Sequence, residues 1–316
     1  MRDRTARSRS LPDAPAAAEG IEPTAGSKPD AARQVGRRPA PGLYLTATPI
    51  GNAADITLRA LDLLRQADLI ACEDTRVTGK LLARYGIATS MQPYHEHNAA
   101  KMRPQLLQRL TEGQIVALVA DAGTPLISDP GFKLVQEAIS AGIAVSPLPG
   151  ASSLLAALCV AGLPTDRFFF AGFLPAKSAA RRGDLAALQS VPSTLIFLES
   201  AQRLAASLAD MASVLGPRPA AVARELTKLF EEVRRENLPA LAQHYAEAGP
   251  PKGEVVVIVG PPLVAEATAF DLDGALKPAL AKHSLKEAVA NVSAATGLPR
   301  RQVYARALAL KAGDAA

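Results

Sequence analysis

Residues 43–61, LYLTATPIGNAADITLRAL, decide how the rest of the chain is read. Residues 43–47 form a short apolar run of β type, and Thr, Pro, Gly and Asn follow it. From residue 57 to 67, apolar positions then recur at helical spacing. A strand, a small-residue loop and a helix in that order open a parallel α/β sheet. Working outward, residues 69–72 make a second strand, and the helix after it carries Leu81 and Leu82. Residues 114–120 and 143–147 add strands that end in Gly- and Pro-rich loops, and a helix over 151–160 closes a first domain. AGLPTDR, 161–167, marks the boundary.

A second domain opens with the apolar run 168–173 and continues through strands at 194–198, 220–224 and 254–259. The strands before and after Leu229 are too close together for a crossover helix, which predicts antiparallel pairing there. The expectation is an α/β protein with a tail over 1–41, an N-terminal α/β domain over 42–162 and a C-terminal α/β domain over 163–262. A basic helix-turn-helix-like module completes it over 275–314.

Composition bounds the function. The 316 residues, 48% hydrophobic, suffice for two medium domains and an appendage. Lys and Arg exceed Asp and Glu by 35 to 30, a net charge of +5 that permits a nucleic-acid partner without requiring one. With no Trp and 4% aromatics, broad base-stacking platforms are excluded. Two cysteines, Cys72 and Cys159, cannot build a disulfide framework or a cysteine zinc site. Each reads as an inert buried thiol, which fits the reducing cytoplasm. No apolar run is long enough to predict a membrane span. The arginines at 2, 4, 7 and 9 suit a transit peptide or an RNA-binding arm, but the scarcity of apolar residues favours a disordered tail.

Three loops fall where strands of such sheets present ligands: TPIGN at 48–52, DAGTPLISDPG at 121–131 and PLPGASS at 147–153. Gly admits a close main-chain approach, and Pro fixes a loop without adding a donor. Neither G-x-G-x-x-G nor a P-loop motif occurs in them, so the usual phosphate cradles of dinucleotides and nucleoside triphosphates are missing. The residues by themselves predict a small-molecule cleft. His95 and His97 would share one face of a strand, an arrangement that suits a metal. No third ligand accompanies them at telling spacing, so substrate contact or loop structure is the reading.

Near the C-terminus, Leu285, Ala288, Val289 and Val292 repeat at helical spacing. Gly297 and Pro299 interrupt the pattern, and Val303, Tyr304, Ala307 and Leu308 form a second stripe. This is a helix–turn–helix silhouette whose outward positions carry Lys282, Lys286, Arg300, Arg301, Arg306 and Lys311. RNA docking is preferred over a solvated hairpin.

The motifs TATPIGNAADITLRAL, CEDTRVTGKLLARYGI, PYHEHN, DAGTPLISDPG, GLPTDRFFFAGFLP and RELTKLFEE resemble the ribosomal RNA small-subunit methyltransferase I family, within the tetrapyrrole-methylase superfamily. The resemblance runs from Leu43 to about Gly260. It implies two α/β domains that hold S-adenosylmethionine in a cleft between them, usually in a homodimer. The implied reaction is 2′-O-methylation of a cytidine in the decoding region of 16S rRNA within the small ribosomal subunit. Implied cofactor contacts are Pro49, Ile50, Gly51, Asp121, Gly123, Thr124, Ile127, Ser128, Ser152 and Ser153, the last two at a helix N-terminus suited to a carboxylate. Candidates for the base that takes the ribose proton are Lys228, Glu199 and Glu73, with Asp74 and Glu225 also in range. Lys228 qualifies if burial or positive neighbours lower its pKa. Arg76, His95, His97, Lys282, Arg300, Arg301 and Arg306 are read as RNA contacts. Two alternatives stay open: a tetrapyrrole methyltransferase of the same superfamily, and a non-enzymatic helix-turn-helix regulator with a ligand-sensing body.

Overall fold

A computed structural model describes residues 38–128, 130–263, 272–296 and 298–313. The expected tail, 1–41, lies outside the described residues except at its end. There Arg38 pairs with Asp68 at 3.0 Å, and the Tyr44 hydroxyl donates to the Ala40 carbonyl at 2.7 Å. Residues 38–41, placed in the expected tail, thus make contacts with the first domain.

The described residues form two compact units: 56–149 with the segment 38–47, and those from 150 onward with the segment 48–55. In the first, strands β1 (Gly42–Thr46), β2 (Leu69–Cys72), β3 (Met91–Pro93), β4 (Ile115–Val119) and β5 (Val145–Leu148) make a sheet of order β3-β2-β4-β1-β5. Every pairing in it is parallel, with Gly42 opposite Ile115 and Leu43 opposite Val145. Helices α1 (Leu58–Gln66) and α2 (Thr75–Arg84) cover one face, and α3 (Ala99–Thr111) and α4 (Phe132–Ser140) the other. A sheet covered on both faces needs apolar residues throughout its strands. In β4, Ile115, Ala117 and Val119 pack toward α1 and α2, while Val116 and Leu118 pack toward α3 and α4. Thr57 starts α1 by accepting the Ala60 N–H on its side chain.

In the second unit, β6 (Phe168–Phe173), β7 (Thr194–Ser200), β8 (Pro219–Arg224), β9 (Glu232–Asn237) and β10 (Glu254–Val259) follow the order β6-β7-β10-β8-β9. Only β6 and β7 run parallel; β8 and β9 pair antiparallel, as their short connection predicts. One face is covered by α6 (Ser178–Leu188), α7 (Leu204–Leu215) and α8 (Leu238–Ala248). The other is covered by α5 (Ser153–Ala161), whose Leu154, Ala157 and Leu158 pack on Ile196, Ala221, Val256 and Ile258. Sequence placed this helix at the end of the first domain. Its apolar surface instead belongs to the second sheet, and PLPGASS becomes the crossing between units.

The C-terminal segment is a three-helix cluster of α9 (Leu272–Lys282), α10 (Leu285–Thr296) and α11 (Arg300–Gly313) around Leu276, Val289, Val292, Val303 and Ala307. The helix–turn–helix pair was expected, whereas α9, with Pro278 inside it, was not. Cys72 is buried as expected, but Cys159 is exposed, since α5 turns that side away from its sheet. Among the described residues no helix is long and apolar enough to cross a membrane.

Candidate active site

Within the first unit, the segments that follow β2, β3 and β4 line an open concavity of about 470 Å³. Its walls are Glu73, Asp74, Thr75, Arg76, Pro93, His95, His97 and Asp121. This is the carboxyl edge of the parallel strands, where loops rather than sheet carry the side chains. Asp74 caps α2 by accepting the Arg76 N–H at 2.8 Å, and its carboxylate binds the Arg76 guanidinium at 2.6 Å. Those bonds lower its pKa to about 2. The Asp74 N–H in turn donates to Asp121 at 3.0 Å, fastening the β2 and β4 loops together.

Glu73 differs from its neighbour. Partial burial raises its pKa, and the Asp121 and Asp74 charges add to that while His95 works against it. No hydrogen bond or ion pair engages its carboxylate among the described residues. His95 and His97 are not on a strand: β3 ends at Pro93, and both lie in the turn before α3 with ring centroids 6.0 Å apart. Asn98 shapes that turn, accepting the His95 N–H at 2.9 Å and donating to the Pro93 carbonyl at 3.0 Å. Among the described residues no group of three His, Cys, Asp or Glu is arranged to hold a metal.

The loop after β4 carries Gly123, Thr124, Ile127 and Ser128, and three of its residues adopt a left-handed conformation. Gly123 has φ +83°, Leu126 +74° and Ser128 +67°. A left-handed non-glycine residue costs about 1–2 kcal/mol. Leu126 offsets this by packing on the α3–α4 core, in space that a Cβ at Gly131 would fill. Left-handed residues in a loop turn main-chain N–H groups outward as a ready donor surface. Ile127 and Ser128 are exposed on it.

In the second unit, Pro49, Ile50 and Gly51 meet the loop after β8. A Cβ on Gly51 would lie 2.5 Å from Lys228 Cγ, 2.7 Å from Thr227 Oγ1 and 2.9 Å from the Leu226 carbonyl. Gly51 is thus required by the chain itself, and the Asn52 N–H donates to Thr227 at 3.0 Å. Glu225 and Thr227 are also left-handed, with φ of +49° and +66°. Lys228 does not have the lowered pKa that would make it a base. Burial works in that direction, but bonds to Glu225 at 2.9 Å and Glu254 at 3.1 Å outweigh it and raise the pKa. Glu225 is committed to the same bridge and lowered by it.

Glu199, expected near the chemistry, has a side chain only 1% exposed. It accepts from its neighbour Ser200 N–H at 2.8 Å and from Ser207 at 2.5 Å, and pairs with Arg203 at 3.2 Å. Its oxygens are spent on fold. Ser152 is the N-cap of α5, accepting from Leu155, with Ser153 in the first turn. In the C-terminal cluster Lys282, Arg300, Arg301 and Arg306 are all exposed, and among the described residues Arg306 alone of these four is paired, gripping Asp273 with bonds of 2.7 and 2.6 Å. Sequence reading missed Asp273 because α9 itself was not foreseen.

Residues 42–242 match the family of Tetrapyrrole (Corrin/Porphyrin) Methylases, and residues 266–311 match the RsmI C-terminal HTH domain. The chain is 54% identical over 272 residues to a ribosomal RNA small subunit methyltransferase I of Mesorhizobium japonicum, covering 86% of this chain and 92% of the relative. The same-named protein of Pseudomonas aeruginosa is 46% identical over 84% of this chain and 96% of its own length. Among solved structures, a cobalt precorrin-4 methyltransferase aligns with TM-score 0.54 at 20% identity, over 69% of this chain and 94% of its own. Diphthine synthase aligns with TM-score 0.54 at 16% identity, over 69% and 89%. These last two show the fold alone. On the family match and the identity with its relatives, the chain belongs to the tetrapyrrole methylases and, among them, to the ribosomal RNA small subunit methyltransferase I family.

Proposed function

We propose that this enzyme methylates the ribose 2′-oxygen of a cytidine in the decoding region of 16S rRNA, within the small subunit, as a cytoplasmic homodimer. The observation that carries the reading is the identity with its relatives, which spans both α/β units and the C-terminal helices. S-adenosylmethionine supplies a methyl group already activated on a sulfonium and leaves as a neutral thioether.

The residues present fit that cofactor. The left-handed run at Gly123, Leu126 and Ser128 offers neutral main-chain donors, with Asp121, Thr124 and Ile127 on the same loop. Pro49, Ile50 and Gly51, and Ser152 and Ser153 at the start of α5, are the contacts assigned to the second unit. Neutral donors and hydroxyls suit a nucleoside and an amino-acid group better than a triphosphate.

A ribose hydroxyl is a weak nucleophile at neutral pH. In this reading the Glu73 carboxylate accepts its proton while the oxygen forms the new bond to carbon. Lys228 is held protonated and Glu199 is enclosed, so neither takes that part. Arg76, His95 and His97, on the same concavity, position the substrate strand. The test is transfer from labelled cofactor into small subunits, free rRNA and a tetrapyrrole, followed by mapping of the label. Label at a cytidine 2′-oxygen in small subunits supports the reading, and label in the tetrapyrrole alone overturns it.

A further inference from the structure

Among the described residues, helix α11 leaves one face without a protein partner. Val303 and Ala307 turn into the core of the helix cluster, while Tyr304 and Leu308 stay 46% and 45% exposed. Arg301 is exposed on the same side, Arg300 and Lys311 flank it, and the helix contains no Asp or Glu. Arg306 stands two residues from Tyr304, about 200° round the helix at its usual 100° per residue. It faces away, fixed to Asp273 of α9 by two charge-assisted bonds.

We infer that this face, Arg300, Arg301, Tyr304 and Lys311, seats RNA at an unpaired nucleotide, with the Tyr304 ring stacking on the base and the cations holding the flanking phosphates. Arg306 is a strut that orients α11 and touches no RNA. The inference rests on the rRNA-methyltransferase reading for its partner and goes beyond it in naming the feature recognised. Charge complementarity selects a polyanion. The exposed ring then selects among polyanions, because the major groove of A-form RNA is too deep and narrow for the helix to enter as it would in DNA. An aromatic side chain can read RNA where a base is already splayed out of a helix.

The experiment uses the full chain and two RNA probes: a small-subunit rRNA stem with an unpaired loop, and the same stem fully paired. Y304A is expected to weaken the looped probe by about 5- to 150-fold, the usual worth of one stacked base, and to leave the paired probe unchanged. Y304F keeps the wild-type difference between probes. The double variant R300E/R301E weakens both, and its salt slope flattens by about 0.7–0.9 per lost phosphate contact. Cofactor affinity by calorimetry and the thermal melt stay at wild-type values for Y304A. Equal binding of the looped RNA by Y304A and wild type, or equal loss on both probes, overturns the stacking role. A wild-type protein that separates the probes as stated yet leaves small subunits unmethylated would instead refute the activity.

Discussion

The Asp74 main-chain N–H donates to the Asp121 carboxylate at 3.0 Å, so the cap of α2 and the loop after β4 hold each other in place. One acidic side chain thereby organises the rim while its neighbour Glu73 is left to titrate. Three carboxyls come from two loops, and for Asp74 and Glu73 the surroundings act in opposite directions. Asp74 is held ionised by Arg76, and Glu73 is biased toward its neutral form by burial and by the other two. That divergence suits the part proposed for Glu73 as the proton acceptor.

Glu73→Gln is expected to raise the melting temperature at pH 7–8 and to abolish methyl transfer. An acid whose folded pKa is raised contributes stability below its unfolded value, near 4.3, and loses it as pH rises through the folded one. The gain over wild type should therefore vanish below about pH 4. Melts across pH, with single-turnover transfer, check this. A variant that keeps full activity removes Glu73 from the chemistry.

Lys228→Met should cost about 0.5–1 kcal/mol, as partly exposed bridges do. The Lys228 pKa is raised, so its contribution is complete below about 10 and lost as pH climbs past the folded value. Glu225 is lowered, so its share is lost as pH falls below about 4. The loss should peak between these limits in denaturant titrations, and the acid limb of the transfer profile should not move.

Gly51→Ala places a methyl against Thr227 and the Leu226 carbonyl. Backbone cannot yield as a side-chain tip does, so the expected cost is about 1–3 kcal/mol. Cofactor affinity should weaken with it, as calorimetry would reveal. A fully stable variant would mean that the loop after β8 moves freely.

Glu199→Ala uncovers Ser207 and the Ser200 N–H in a buried setting, at a cost of about 1–3 kcal/mol. Molecules that remain folded should bind cofactor like wild type. Selective loss of transfer at unchanged stability would return Glu199 to the catalytic candidates.

Much of the fold was legible because short apolar runs of β type stand out between polar, Gly- and Pro-rich loops. Residues 69–72, 168–173 and 254–259 match their strands residue for residue. The glycines were legible as close approaches, but not what approaches: at Gly51 it is the protein's own Lys228. Side-chain commitment was least visible. Glu199 and Arg306 read as free charges in a linear chain, and only distant partners, Ser207 and Asp273, reveal them as struts. His95 and His97 lie in a turn, in line with their reading as loop structure, because β3 is three residues long and ends before them. Helix α9 was hidden by Pro278; α5 was foreseen as a helix, but its apolar surface fits either sheet equally well on paper and was given to the first.

The pairing order has a consequence during synthesis. Strand β1 lies between β4 and β5, so both its edges wait for residues 115–119 and 145–148. The loop at its end waits longer still, since Asn52 finds Thr227 only 175 residues on. At roughly 5–20 residues per second, the ribosome needs on the order of 10–35 s to supply that partner. Strand β1 itself keeps an unsatisfied edge until residue 148 is made, and slowing translation between residues 47 and 148 should lengthen its exposure to chaperones.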